Sequence, residues 1–312
     1  MKYPKISGLI AATFTPYGSS GELNLAAIPP LIDRLRSDGV SGAFIAGTTG
    51  ESASLLLSEK LHLLEAYAPH NEDRFKVLLM LSGTSQREAI TLAKAAREQG
   101  IYGTAVTAPY YFRPSHVGQL IEYLLPIAEA AGDLPLYFYH IPLLTRVELP
   151  MLELLEQASE RIPNFAGIKY THNDLMEFNR CLRFEGGRYD VLWGWDELFL
   201  AGLSMGAKGA VGSTYNFAAP LYLKIQDAYA KGDMDTALRL QEKSIDFIAL
   251  YGKYGGPAAG KAILGLCGFD FGQFRAPVVS LSKAQRLELE KELRQVGFFE
   301  ALSGTHNLPV GN

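Results

Sequence analysis

Cysteine is scarce in this chain: Cys181 and Cys267 are the only two in 312 residues. Two isolated thiols make neither a disulfide framework nor a zinc site, so a reduced, cytoplasmic location is expected. No run of about 18 apolar residues occurs, which excludes a membrane-spanning helix. The first fifteen residues carry Lys2 and Lys5 but no long apolar core, so no secretory leader is expected. Cationic clusters are also missing. The chain has 29 Lys and Arg against 33 Asp and Glu, a formal charge of −4. It lacks the electrostatic footprint of a nucleic-acid binder, and a small-molecule ligand is expected instead. The six histidines (His62, His70, His116, His140, His172 and His306) show no metal-ligand spacing such as H-E-x-x-H, so no metal site is expected.

What is present is an ordinary globular composition, 48% hydrophobic and 20% charged. The length allows two domains of about 150 residues, or one barrel of roughly 250 with an extension. Candidate strands are Gly8–Thr13, Gly42–Ala46, Lys76–Leu81, Gly103–Thr107, Pro135–Tyr139, Ala166–Tyr170, Asp190–Gly194 and Gly209–Ser213. They are short and apolar throughout, the pattern of parallel strands covered on both faces. Their starts recur roughly every 20–35 residues, the spacing of βα units. Between them, Ser85 and Glu88 have capping-box spacing, Ala89, Leu92, Ala93 and Ala96 share one face, and Gly100 ends the segment. Asn24 is expected to open the first long helix. Pro29 and Pro30 fit only in a first turn, which argues for a later start.

Eight such units point to an α/β fold, a closed (β/α)8 TIM barrel. The alternative, an open doubly wound sheet, usually has a Gly-rich phosphate turn after its first strand. Leu9–Gly18 has none. Met234–Lys253, Pro257–Leu266 and Lys283–Val296 read as helices beyond the eighth strand. The expected organisation is a barrel over residues 1–225, a C-terminal helical extension packed on it over 226–302, and a loose tail over 303–312. Gly255–Ala262 mimics a nucleotide P-loop but lacks the final Ser or Thr and follows a helix, so nucleotide binding is not expected.

Active sites of such barrels gather at the C-terminal ends of the strands. Residues there include Thr48 and Thr49 after strand two, Tyr139 on strand five, Lys169 and Thr171 on and after strand six, Asp196 and Glu197 after strand seven, and Ser213 after strand eight. Lys169 stands in the apolar run Phe165–Tyr170, where a charge is costly. One reading is a buried lysine paired with a carboxylate. The other is a Schiff-base nucleophile, whose amine must be neutral. At the unperturbed pKa only about one amine in 2,500 is neutral at pH 7, and desolvation removes part of that cost. Convergence with the other rim residues favours the nucleophile. Tyr139 by itself reads as a core aromatic, but beside a neutral lysine it becomes a proton carrier. Gly47–Glu51 is small and hydroxyl-rich, suited to a carboxylate. Asp196 and Glu197 read either as a helix N-terminus or as acceptors for the hydroxyls of a sugar-like chain.

Five motifs occur together: G-T-T-G-E at Gly47–Glu51, P-Y-Y-x-R-P-S at Pro109–Ser115, Y-H-I-P at Tyr139–Pro142, G-I-K at Gly167–Lys169 and G-S-T-Y-N at Gly212–Asn216. In this the chain resembles the dihydrodipicolinate synthase / N-acetylneuraminate lyase family of class I pyruvate aldolases. The resemblance covers about residues 6–300. It implies a TIM barrel with a C-terminal helical segment, a homotetramer, and no cofactor. It implies Lys169 as the pyruvate Schiff-base residue and Tyr139 as the proton-transferring phenol. Thr48 and Thr49 would hold the pyruvoyl carboxylate. Tyr111 matches a tyrosine that in many members reaches a neighbouring subunit's site.

Within the family, synthases carry an arginine five positions after the Y-x-x-P tyrosine. Here that position is Leu144, with Arg146 two residues further on, and the lyase branch has leucine. Gly194-Trp195-Asp196-Glu197 resembles the lyase stretch G-Y-D-E, with Trp in place of Tyr. Lys169–Leu175 is also similar to the lyase branch, and Gly212–Asn216 matches it fully. The implied activity is that branch's reaction, reversible aldol cleavage of sialic acid to N-acetylmannosamine and pyruvate. Thr171, Gly194, Asp196, Glu197 and Ser213 would bind the substrate chain. The alternatives are another pyruvate aldolase, such as 4-hydroxy-tetrahydrodipicolinate synthase or a sugar-acid aldolase, and a non-catalytic sensor of a 2-oxo acid.

Overall fold

A computed structural model describes residues 3–81 and 83–302. Eight parallel strands close into a barrel in sequence order. They are β1 (Gly8–Ala12), β2 (Gly42–Ile45), β3 (Lys76–Met80), β4 (Gly103–Thr107), β5 (Leu136–His140), β6 (Phe165–Tyr170), β7 (Asp190–Trp193) and β8 (Gly209–Gly212). β1 pairs with both β2 and β8, which removes every sheet edge. All eight strands expected from the sequence are present, Gly103–Thr107 with the expected ends and the others with ends displaced by no more than one residue.

The helices up to β8 are α1 (Ile28–Ser37), α2 (Leu57–Tyr67), α3 (Gln86–Gln99), α4 (Val117–Ala131), the single turn α5 (Pro142–Thr145), α6 (Met151–Arg161), α7 (Leu175–Arg183) and α8 (Phe199–Ser204). α3 follows its sequence signals closely. The Ser85 hydroxyl accepts from the Glu88 N–H, Gly100 ends the helix in the left-handed region, and Ala89, Leu92, Ala93 and Ala96 are buried. α1 has the later start that Pro29 and Pro30 argue for, and Asn24 does not open it. Asn24 caps only a 3-10 turn, Leu25–Ala27, without a side-chain hydrogen bond, and α1 begins at Ile28. Pro29 and Pro30 thus occupy the first turn, where their missing N–H groups cost nothing.

After β8 come α9 (Tyr215–Ala230), α10 (Met234–Lys253), α11 (Pro257–Leu266), α12 (Lys283–Gln295) and α13 (Phe298–Leu302). Residue 225, the expected domain boundary, falls inside α9. The stretch that mimics a P-loop is mostly α11. The tail expected to be loose, 303–312, lies outside the described residues. No described helix is long and apolar enough to cross a membrane. Cys181 and Cys267 are free and buried.

Two apolar layers hold the barrel. Ile10, Ala12, Phe44, Leu78, Met80, Tyr137, Tyr139 and Val211 fill its interior. A larger layer packs the outer strand faces against the helices. Which face a strand residue takes follows a period of two, and β6 breaks that period once. Its pairing with β5 slips between Leu136↔Phe165 and Tyr137↔Gly167, leaving one extra residue. Phe165 and Ile168 therefore both face outward although three positions apart. The slip turns Lys169 inward, toward the rings of Tyr139 and Phe44. Gly167 permits it: its φ is 156°, and a Cβ there would lie 1.7 Å from the Asp190 carbonyl oxygen.

Candidate active site

At the C-terminal rim a cavity of about 400 Å³ opens into the barrel. Among its lining residues are Thr48, Thr49, Tyr139, Lys169, Thr171, Gly194, Asp196, Glu197 and Ser213. Every residue expected at the site, Tyr111 apart, thus meets in one space.

Lys169 is only 4% exposed. Its Nζ lies 3.8 Å from the ring centre of Tyr139 and 4.2 Å from that of Phe44. No described carboxylate forms an ion pair with it, and the charge of Asp196 acts from farther away. Burial therefore dominates and lowers the amine from 10.5 to about 7, with Asp196 pulling the other way. Roughly half of the amines are then neutral at pH 7.

Tyr139 is register partner to Lys169 on the neighbouring strand. Burial raises its phenol, while the hydroxyls of Thr48 and Thr171 lower it by favouring the phenolate. Thr171 Oγ1 is buried and closes no hydrogen bond within the normal range. Gly194 leaves room for that hydroxyl: a Cβ on Gly194 would lie 1.9 Å from Thr171 Oγ1.

Asp196 is buried beside β8. Its Oδ2 accepts from the Thr214 N–H at 3.0 Å and the Thr214 hydroxyl at 2.6 Å. Its Oδ1 is buried without a partner. Burial pushes the carboxyl up to about 6, against the pull of the Thr214 donors and Lys169. Gly212 makes room for it, since a Cβ there would lie 1.8 Å from Asp196 Oδ1. Asp196 thus lines a cavity that also holds a buried amine and a phenol, with one carboxylate oxygen committed to Thr214.

Part of the wall was not legible in the sequence. Ile248, Tyr251 and Gly252 of α10, with Gly256 and Pro257 at the start of α11, complete the cavity. Tyr251 is raised by burial and lowered by the nearby Ser213 hydroxyl. No local motif marks these residues, which reach the rim only because α10 folds back over it.

A second cavity of about 340 Å³ adjoins the first, sharing Thr48 and Pro257. Leu144 lines it, with Met80, Ile141 and Phe274. Arg146 lines neither cavity. Tyr111 also lines neither; it is 76% exposed and meets the Phe112 ring edge-on at 5.1 Å.

Comparison with known proteins agrees with this geometry. Residues 5–296 match the model of the dihydrodipicolinate synthetase family. The chain is 34% identical to mouse N-acetylneuraminate lyase over 319 residues, covering 100% of both chains. Among solved structures, the Proteus mirabilis N-acetylneuraminate lyase superposes with a TM-score of 0.92 at 36% identity, over 95% of this chain and 100% of that one. The Aliivibrio salmonicida N-acetylneuraminate lyase (sialic acid aldolase) also gives 0.92 at 36% identity, over 95% and 98%. With a family match over nearly its whole length, and with the five motifs converging on one rim, the chain belongs to the dihydrodipicolinate synthetase family.

Proposed function

We propose that this chain is an N-acetylneuraminate lyase, a class I aldolase that cleaves open-chain sialic acid reversibly to N-acetylmannosamine and pyruvate. The observation that carries the reading is Lys169: a deeply buried amine without an ion-pair partner, brought to about 7, in a cavity with a phenol and acceptors. The full-length relationship to lyases supports it. Leu144, where the synthases have arginine, speaks against a second substrate carboxylate at that point.

In this mechanism the neutral Lys169 amine attacks the ketone carbon, the Tyr139 phenol gives its proton to the departing hydroxyl, and water leaves, giving an iminium ion and a phenolate. The carbon–carbon bond beta to it breaks, and its electron pair moves into the iminium. The Tyr139 phenolate so formed takes the proton of the carbon-4 hydroxyl as that carbon becomes the aldehyde of N-acetylmannosamine. Protonation of the remaining enamine and hydrolysis release pyruvate. Thr48 and Thr49 hold the carboxylate. Thr171, Gly194, Asp196, Glu197 and Ser213 bind the hydroxylated chain. Lysine chemistry takes the place of a metal or an organic cofactor. We further infer a cytoplasmic homotetramer, in which the exposed Tyr111 meets a neighbouring subunit.

Borohydride trapping with N-acetylneuraminate as the only added substrate, followed by peptide mass mapping, tests the reading. The expected result is about 72 Da added to Lys169, the mass of a reduced pyruvate imine. An adduct from pyruvate but none from sialic acid would leave another pyruvate aldolase. No adduct from either would leave a non-catalytic protein.

A further inference from the structure

A second lysine is buried near the same rim. Lys261 of α11 donates to Glu51 Oε1 at 2.8 Å, and the two side chains are 3% and 4% exposed. The other Glu51 oxygen accepts the Arg275 N–H at 2.9 Å. Lys261 also donates to the Gln273 carbonyl at 3.3 Å and lies over the rings of Tyr17 and Phe274, at 4.3 and 4.6 Å. Glu51 is the last residue of the Gly47–Glu51 loop, so this pair joins the loop to the C-terminal helices.

The loop needs such a hold. It is entered and left through two non-glycine residues in the left-handed region, Ala46 with φ 51° and Glu51 with φ 62°. Its internal bonds, from Glu51 N–H to the Thr48 carbonyl and from Ser52 N–H to the Gly47 carbonyl, set its shape but not its place. Thr15 fixes one side, donating to the Gly50 carbonyl at 2.6 Å. The side chain of Glu51 fixes the other. Replacing a buried ion pair by well-packed apolar groups is often neutral for stability, so stability is a weak reason for keeping one. Fixed geometry is a better reason. The helix that carries Lys261 also brings Pro257 to the catalytic cavity.

We propose that the Glu51–Lys261 pair is a positioning device. It fastens the Thr48–Thr49 loop to α11 and so sets the site that receives the pyruvoyl carboxylate. The proposal rests on the reading of Thr48 and Thr49 as the carboxylate-binding residues. Glu51 and Lys261 act only through that loop.

The test measures how pyruvate concentration governs borohydride inactivation, which reports imine formation without turnover. Glu51→Gln is expected to raise the half-saturating pyruvate concentration about tenfold, since small misplacements of binding groups have effects of this order or larger. The maximal inactivation rate should change less than about threefold. The double variant Glu51→Gln/Lys261→Met carries neither buried charge. It should melt near the native temperature yet keep the raised half-saturation. Native melting with native half-saturation would overturn the proposal, because the pair would then only neutralise itself. A double variant that does not fold would overturn it as well, making the pair a folding requirement. Thr48→Val and Thr49→Val separate the two readings: if neither raises the half-saturation, the carboxylate assignment fails. If they raise it and the Glu51 variants do not, the positioning role fails alone.

Discussion

Lys169 and Lys261 are each 4% exposed, and each ammonium lies against two aromatic rings. Their partners differ. Lys261 has a carboxylate at 2.8 Å and a carbonyl. Lys169 has neither, only the more distant charge of Asp196. Burial pushes both amines down. For Lys261 the adjacent Glu51 counters it twice, by charge and by hydrogen bond. For Lys169 burial is opposed by a single weaker influence, so the amine reaches about 7. Burial alone therefore does not make a nucleophile. A buried lysine becomes one where the fold withholds the counter-ion and leaves a cavity in front of the nitrogen.

The largest effect that would break this contrast concerns chemistry. Lys169→Ala is expected to lower turnover by about four orders of magnitude or more and to abolish the pyruvate adduct, because no other group forms the imine. Lys261 should take up no adduct in that variant. Steady-state assays and peptide mapping decide it, and a Lys169→Ala enzyme at native rate would end the mechanism.

The next effect concerns stability, where the two lysines should respond with opposite signs. Lys261→Met leaves Glu51 buried and uncompensated, and should cost on the order of 3–5 kcal/mol. Lys169→Met should stabilise. The folded pKa of Lys169 lies below its unfolded value, so folding must discard a proton or bury a charge. That penalty, on the order of 5 kcal/mol, is full below about pH 7 and vanishes as the pH rises past 10.5. Denaturant melts at pH 6.5 and pH 10.5 should show the gain shrinking at the higher pH. A Lys169→Met protein less stable than native at pH 6.5 would contradict the account.

The smallest effect sharpens the contrast from the side of the charge. Imine formation needs neutral Lys169, so its rate should fall about tenfold per pH unit below about pH 7. The ionised Asp196 favours the ammonium and holds that limb up. Asp196→Asn should therefore move the limb to lower pH. Borohydride trapping of pyruvate against pH would measure it, and a limb displaced upward would reverse the assigned electrostatics.

Much of the barrel was legible because its strands are short and apolar between turn residues, and α11 matches its expected span, Pro257–Leu266, residue for residue. The rim residues were legible because topology puts strand ends on one face. The α10 and α11 wall was not, since nothing local tells a helix where its side will rest. Lys261 likewise stands as a charge in an apolar run, but its partner Glu51 is 210 residues away and nothing local pairs the two. The start of α1 was legible from Pro29 and Pro30, which fit only a first turn, and not from Asn24, which precedes a 3-10 turn without a side-chain cap.

By itself the sequence determined the parallel βα repeat, the family motifs, and the residue types available for imine chemistry. These follow from periodicity and from which side chains can form or relay the bonds. Only the tertiary structure decided what each of those residues became. The slip at Gly167 turned Lys169 into the barrel, burial without an ion-pair partner brought its amine down to about 7, and the return of α10 and α11 closed the cavity. Side-chain direction, local dielectric and counter-ion distance are properties of chain segments brought together, and the pKa that makes a lysine a nucleophile depends on all three.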